Sequence, residues 1–111
     1  MIHGEWKTAT IALNGTLSAE VDIGRQYERL LIVIPTIDAA QISLQVAEKT
    51  GGIFQDLHTT DAGGNKQVIT SSITGGITWE APLGGFQFIK VKASAAQAGG
   101  ARSFRLCGVR S

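Results

Sequence analysis

Paired glycines recur along this chain at 51–52, 63–64, 75–76, 84–85 and 99–100, and short runs rich in Ile, Val, Leu, Thr and Phe lie between them. Glycine reaches the positive-φ conformations of tight turns without steric cost, so these pairs cut the chain into pieces of strand length. No window carries apolar residues at i, i+3, i+4 and i+7 over three turns, which argues against a long amphipathic helix. The pattern predicts an all-β fold, an antiparallel two-sheet β-sandwich, jelly-roll-like, with about nine short strands. At 111 residues the chain is expected to form one domain, able to bury a core without a metal or disulfide. Its single cysteine, Cys107, excludes an internal disulfide and a multi-cysteine zinc site.

Period-two alternation places the strands. Residues 6–13 alternate, with Trp6, Thr8, Thr10 and Ala12 opposite Ala9, Ile11 and Leu13. Asn14-Gly15 then reads as a type I′ hairpin turn. From Leu17 the same spacing predicts Leu17, Ala19, Val21 and Ile23 inside, with Ser18, Glu20 and Asp22 outside. Further strands are expected at 27–34, 42–46, 54–58, 66–70, 77–80, 86–93 and 104–109. The expected core comprises Leu13, Leu17, Val21, Ile23, Leu31, Val33, Ile42, Leu44, Val46, Phe54, Ile89, Val91 and Phe104. Residues 1–8 form an N-terminal arm in this reading, and 9–111 the sandwich. Thr-Gly-Gly-Ile occurs at 50–53 and again at 74–77, as recurring turn chemistry rather than a repeat unit.

One segment departs from alternation. Leu30-Leu31-Ile32-Val33-Ile34 is apolar on both faces, where a half-exposed sandwich strand needs one apolar face. Either a loop or the N-terminal arm covers the second face, or another subunit does. The outward set is then Leu30, Ile32 and Ile34, or Leu31 and Val33. Arg29 and Pro35 flank the run as gatekeepers.

Signals for chemistry are sparse. His3 and His58 are the neutral-pH bases, and His58 has Asp56 and Asp61 near it in sequence. Hydroxyl residues are so abundant that an imagined triad carries little information. No nucleophile elbow, H-E-x-x-H or phosphate-cradling loop is present, so the chain is read as non-enzymatic, with no catalytic residue, cofactor or metal assigned. The 61–65 loop could offer oxygens to calcium but lacks the EF-hand spacing. Asn14-Gly15-Thr16 matches a glycosylation pattern and reads as a turn. No apolar run approaches the ~20 residues of a membrane helix, and no signal segment is expected at the start.

Charge is unevenly placed. Residues 81–111 hold Lys90, Lys92, Arg102, Arg105 and Arg110 with no acid. A basic face could meet an acidic protein surface, or it could simply be solvated. With a net charge of +1 and no clustered aromatics beside those cations, nucleic acid is not expected as a partner. Trp6, Tyr27 and Trp79 could stack sugars if they shared one surface, or could be core.

Two stretches carry a family resemblance: RLLIVIPTIDAAQISLQVAEKTGGIFQDLH at 29–58 and GGFQFIKVKASAAQAGGARSFRLCGV at 84–109. An apolar strand ending in Pro, an alternating strand, a Gly-Gly turn before Phe and a late basic strand resemble small virion proteins of tailed bacteriophages. The resemblance implies a capsid decoration, or cement, protein on the outer virion surface, oligomeric and often trimeric. The resemblance further implies synthesis in the host cytoplasm, the major capsid protein as partner, and no catalytic residues to transfer. The 61–67 loop is short for the pattern and residues 1–8 have no counterpart in it. On this reading Trp6, Leu30, Ile32, Ile34, Lys90 and Lys92 are the candidate interface residues. The alternative is a carbohydrate-binding or fibre module.

Overall fold

The computed structural model describes residues 2–61 and 64–110, and every described element is a strand. These are β1 (Ile2–His3), β2 (Lys7–Ile11), β3 (Val21–Asp22), β4 (Arg29–Ile34), β5 (Ile42–Ala47) and β6 (Gln55–Asp56). The others are β7 (His58–Asp61), β8 (Gly64–Gln67), β9 (Ile77–Pro82), β10 (Phe88–Ala93) and β11 (Arg102–Arg110). One sheet runs β1-β11-β4-β9, with β2 also paired to β11, and the second runs β3-β10-β5-β6. Antiparallel partners are nested along the chain: β2 with β11, β3 with β10, β4 with β9 and β5 with β6. That nesting is a jelly roll.

The inner faces follow the predicted alternation on the central strands. Ile42, Leu44 and Val46 of β5 face Ile89, Val91 and Ala93 of β10, and all six are buried. Across the sandwich lie Leu30, Ile32 and Ile34 of β4 beside Phe104 and Leu106 of β11. Each such burial stabilises by about 1.5–3 kcal/mol over exposure. Leu30, Ile32 and Ile34 are at most 1% exposed, so the apolar run spends this face on the chain's own core. They are therefore not interface residues. The outward set is Leu31, half-buried, and Val33, 38% exposed, neither of which belongs to the core as expected.

The early strands differ more. Asn14-Gly15 is not a hairpin, because β2 pairs in one sheet and the next segment pairs with β10 in the other. Gly15 N–H donates to Ala12 O at 2.8 Å, and Asn14 alone takes a positive φ among the turn's non-glycine residues, 63°. A type I′ turn needs two such residues, so this is a crossover turn between sheets. Past it, Ser18 is buried while Leu17 is exposed, the reverse of simple alternation. Ser18 N–H donates to Val91 O, and Val91 N–H donates to Ser18 Oγ, both at 2.9 Å. This side-chain substitute for a ladder rung shifts the face by one residue before Val21 and Ile23 return to the core. Leu13 is exposed on the crossover, and Phe54 is only half-buried.

Residues 1–8 do not form a separate arm. Ile2 and His3 pair with Arg110 and Val109 of the same chain, and Gly4 N–H donates to Gly108 O at 2.8 Å. The segment completes its own sheet edge, where its backbone groups find partners; Met1 lies outside the described residues. The two Thr-Gly-Gly-Ile motifs serve different ends. Gly75 takes φ +91° directly under Pro35, where a Cβ would stand 1.7 Å from the Pro35 carbonyl oxygen. The 50–53 copy lies in the loop between β5 and β6.

Tyr27 is buried against β11. Its ring lies across Gly108 within β11, where a Cβ would come 2.1 Å from Tyr27 Cδ2. Strand glycine here permits a close approach of ring to backbone. Gly108→Ala is expected to destabilise the domain by about 1–3 kcal/mol through overpacking. Chemical denaturation measures this, and an unchanged midpoint would refute the packing argument.

Candidate groove at the edge of the second sheet

A hairpin interrupts the edge of the second sheet. Leu57 N–H donates to Leu44 O at 3.0 Å, and eleven residues later Val68 N–H donates to Leu57 O at 2.8 Å. Between those bonds β7 and β8 pair only with each other in the sheet order. After the hairpin the chain rejoins β5, with Ile69 bridging Ser43 and Thr70 N–H donating to Ile42 O at 2.9 Å. The edge is thus one interrupted strand with a polar hairpin bulging from it.

A groove of about 720 Å³ lies at the base of this hairpin. Val46, Ala47, Leu57 and Phe86 supply apolar lining, and Glu48, Lys49, Gln55, Asp56 and His58 the polar lining. Ile53, 84% exposed, stands in the same wall. The loop that presents Ile53 is tied to the strand-poor segment before β3. Thr50 Oγ1 donates to Glu20 Oε2 at 2.5 Å, and Gly51 N–H donates to Glu20 Oε1 at 2.8 Å. The Thr50 hydroxyl, then the Gly51 amide, hold the Glu20 carboxyl below its ordinary value. Asp22 and Asp38 act similarly on other turns. Asp22 is lowered by Gln87 and then Gly24, and Asp38 by the Gly99 amide and then Arg102.

Lys90 Nζ sits 4.7 Å from the Phe54 ring centroid, and Lys92 Nζ lies 3.8 Å from Asp56 Oδ1. Both cations project from the outer face of β10 and are engaged within the chain. Farther along the basic segment, Arg102 pairs with Asp38 at 3.2 Å and Arg105 Nη1 donates to Thr8 Oγ1 at 3.0 Å. Late basic residues thus meet early acids and hydroxyls that the fold brings alongside.

Trp6 is 44% exposed at the β2 edge of the first sheet, while Trp79 packs partly into the core on β9, the opposite edge. Tyr27 is buried. With two strands between them, Trp6 and Trp79 are separated by roughly 14 Å of sheet and build no shared stacking platform. His58 Nδ1 lies 3.3 Å from the Asp56 backbone carbonyl, while the Asp56 carboxylate accepts from Gln45 Nε2 at 3.1 Å. The His58 ring thus meets the Asp56 backbone, and the Asp56 carboxylate meets Gln45. The side chains of Asp61, Asn65 and His3 lie outside the described residues. Cys107 is a small buried strand residue whose thiol donates to Gly4 O at 3.4 Å.

Sequence reasoning missed Ile53, Glu48, Lys49 and Phe86 as groove residues. The available signal was Ile53 itself, an isolated aliphatic placed directly after Gly51-Gly52.

No family model matches the chain, and no curated protein matches it in sequence. Solved structures share its fold. The SPBc2 prophage-derived protein YomS superposes with a TM-score of 0.55 at 14% identity, over 97% of this chain and 95% of that one. Chitosan-binding module 1 of the Paenibacillus sp. IK-5 chitosanase/glucanase superposes with a TM-score of 0.56 at 14% identity, over 90% and 75%. At these identities the likeness is one of fold, an all-β jelly-roll module.

The Glu20 tie makes a pH-dependent prediction. A lowered carboxyl stabilises the folded state above its ordinary value of 4.5 and loses that contribution as pH falls through the depressed value. Glu20→Ala should therefore lower the unfolding midpoint at pH 6, and the gap from wild type should close as pH falls below 4.5. Denaturation at stepped pH reads the gap. A gap independent of pH would contradict the assignment.

Proposed function

We propose that this chain is a non-enzymatic structural protein of a tailed-phage virion, a capsid decoration protein that binds the outer shell as an oligomer, trimer favoured, and stabilises it. The observation that carries the reading is the coextensive match to a prophage-derived protein, in which nearly all of both chains is one undecorated jelly roll. The resemblance of residues 29–58 and 84–109 to small phage virion proteins supports it independently. The major capsid protein is the partner in this reading, and the outer capsid surface the location.

The face suited to contacts between copies is the outer side of the first sheet. Leu31 and Val33 lie there in register with Cys107 and Arg105 of β11 and with Glu80 and Thr78 of β9. Thr8 and Thr10 of β2, with Ser103, extend a weakly charged, β-branched surface, and Arg29 pairs with Glu80. Exposed Trp6 at the neighbouring edge adds a large anchor for a shell contact. Lys90 and Lys92, already engaged, contribute less than a free basic stripe would.

A carbohydrate-binding role is the second reading, favoured by the shared fold of the chitosan-binding module. The separation of Trp6 from Trp79 weighs against a shared stacking platform.

Titration onto bare expanded capsids separates the two. A decoration protein should saturate shells at a fixed copy number and raise their resistance to heat. Multiple modest patches acting together give such binding its strength, so a monomeric variant should bind far more weakly. Glycan binding without any capsid binding would overturn the decoration reading.

A further inference from the structure

The register of β6 leaves a strand edge open along the groove. The Leu57 N–H bond to Leu44 O makes that pair a bonded position of the antiparallel ladder, and Gln45 faces Asp56 one residue on. Bonded and non-bonded positions alternate, so the Asp56 N–H and C=O point away from β5. The carbonyl is met by His58 Nδ1 at 3.3 Å, which leaves the Asp56 N–H without a backbone acceptor among the described residues. Gln55, Asp56, Leu57 and His58 all line the groove, so the open edge and the cavity are one feature.

We propose that this groove receives an extended peptide segment of a partner protein, which adds as a strand beside β6 and seats a large apolar side chain among Ile53, Leu57 and Phe86. The cavity lies within the size range of specific ligand sites. Strand addition draws affinity from backbone hydrogen bonds and specificity from pockets for alternate side chains, and here the outward Asp56 N–H offers a donor beside the apolar wall at Ile53. Charge complementarity fits an uncharged segment. Glu48 stands beside Lys49 on the rim, and Lys92 faces the Asp56 carboxylate, so the rim carries no excess of either sign. A polyanion would find no free cationic row. A saccharide would want an open aromatic face, and Phe86, the aromatic among the described lining residues, is half-buried against the core. Ile53, exposed on a loop held in place by Glu20, is a preset wall waiting for an apolar contact.

The inference deepens the decoration reading by naming the kind of segment a shell protein would offer, and its test uses no shells. A displayed library of random dodecapeptides is panned against the full chain. Enriched peptides are then made synthetically and titrated while backbone amide signals are followed by NMR. The expected result is enrichment of alternating sequences with one conserved large apolar residue, with shifts confined to residues 46–58 and to Phe86. Ile53→Asp should weaken binding by about tenfold or more, as loss of a buried anchor does, while its unfolding midpoint stays unchanged because Ile53 is exposed. Methylating the peptide nitrogens that face β6 should abolish binding, whereas methylating those that face away should not. The proposal fails if no peptide is enriched, if Ile53→Asp binds as wild type does, or if methylation of the nitrogens that face β6 is tolerated. It also fails if cellotetraose or chitotetraose shifts these same amides and the peptides do not. Peptide binding by a chain that never binds capsids would sink the decoration reading and leave this one standing.

Discussion

A jelly roll sends its chain from one sheet to the other at almost every connection, so its crossovers must be tied to one another or the sheets can slide. Here a single buried amide performs much of that tying. Gln97, in the loop between β10 and β11, has no solvent exposure. Its Oε1 accepts from the Asp38 N–H at 2.8 Å, and its Nε2 donates to Ala95 O at 3.1 Å and Asp38 O at 3.3 Å. Its backbone accepts from Asn14 N–H at 2.9 Å and donates to Gly15 O at 3.1 Å. Three crossovers, after β2, β4 and β10, meet at this residue. A buried amide left unpaired costs about 1–3 kcal/mol, so the arrangement tolerates only a complete set of partners. Asp38 extends the tie by accepting from Gly99 N–H and Arg102.

This explains which parts of the fold were legible in the sequence. Central strands have one face fully buried, and burial imposes period two directly, so Ile42, Leu44, Val46, Ile89 and Val91 could be read off. The phase of β4 could not, because Leu31 and Val33 are as apolar as their inward neighbours. Crossovers obey a different rule. Asn14-Gly15 has the chemistry of a hairpin turn, but whether the chain returns beside itself or crosses to the other sheet depends on the distant Gln97. Ser18 replaces a ladder partner with its own hydroxyl, and that reverses the expected faces of Leu17 and Ser18. Local spacing contains neither fact.

The charge asymmetry has a similar resolution. Nested pairing places the end of the chain beside its beginning and the middle beside itself. Basic residues after position 81 are thereby laid against acids and hydroxyls that precede it: Arg102 against Asp38, Lys92 against Asp56, Arg105 against Thr8. A segregated charge pattern in sequence becomes a mixed surface in space. These pairs are solvent-accessible and each contributes little stability. Their larger consequence is for recognition, because the long basic stripe that would have suggested a polyanionic partner is already occupied.

The candidate site was the least legible part, for a reason the topology makes plain. Its residues come from the β5–β6 connection, from the strand that the hairpin interrupts, and from the turn before β10. None of these segments carries a motif, and their meeting depends on a ten-residue excursion that leaves the edge of a sheet and returns to it. Such an interruption breaks the continuous edge that would otherwise invite indiscriminate pairing with other chains. It leaves instead a short open stretch at Asp56 with an apolar wall at Ile53. A partner strand is then limited in length by the hairpin and in register by the wall. The same excursion that guards the sheet against aggregation therefore converts its edge into a selective one.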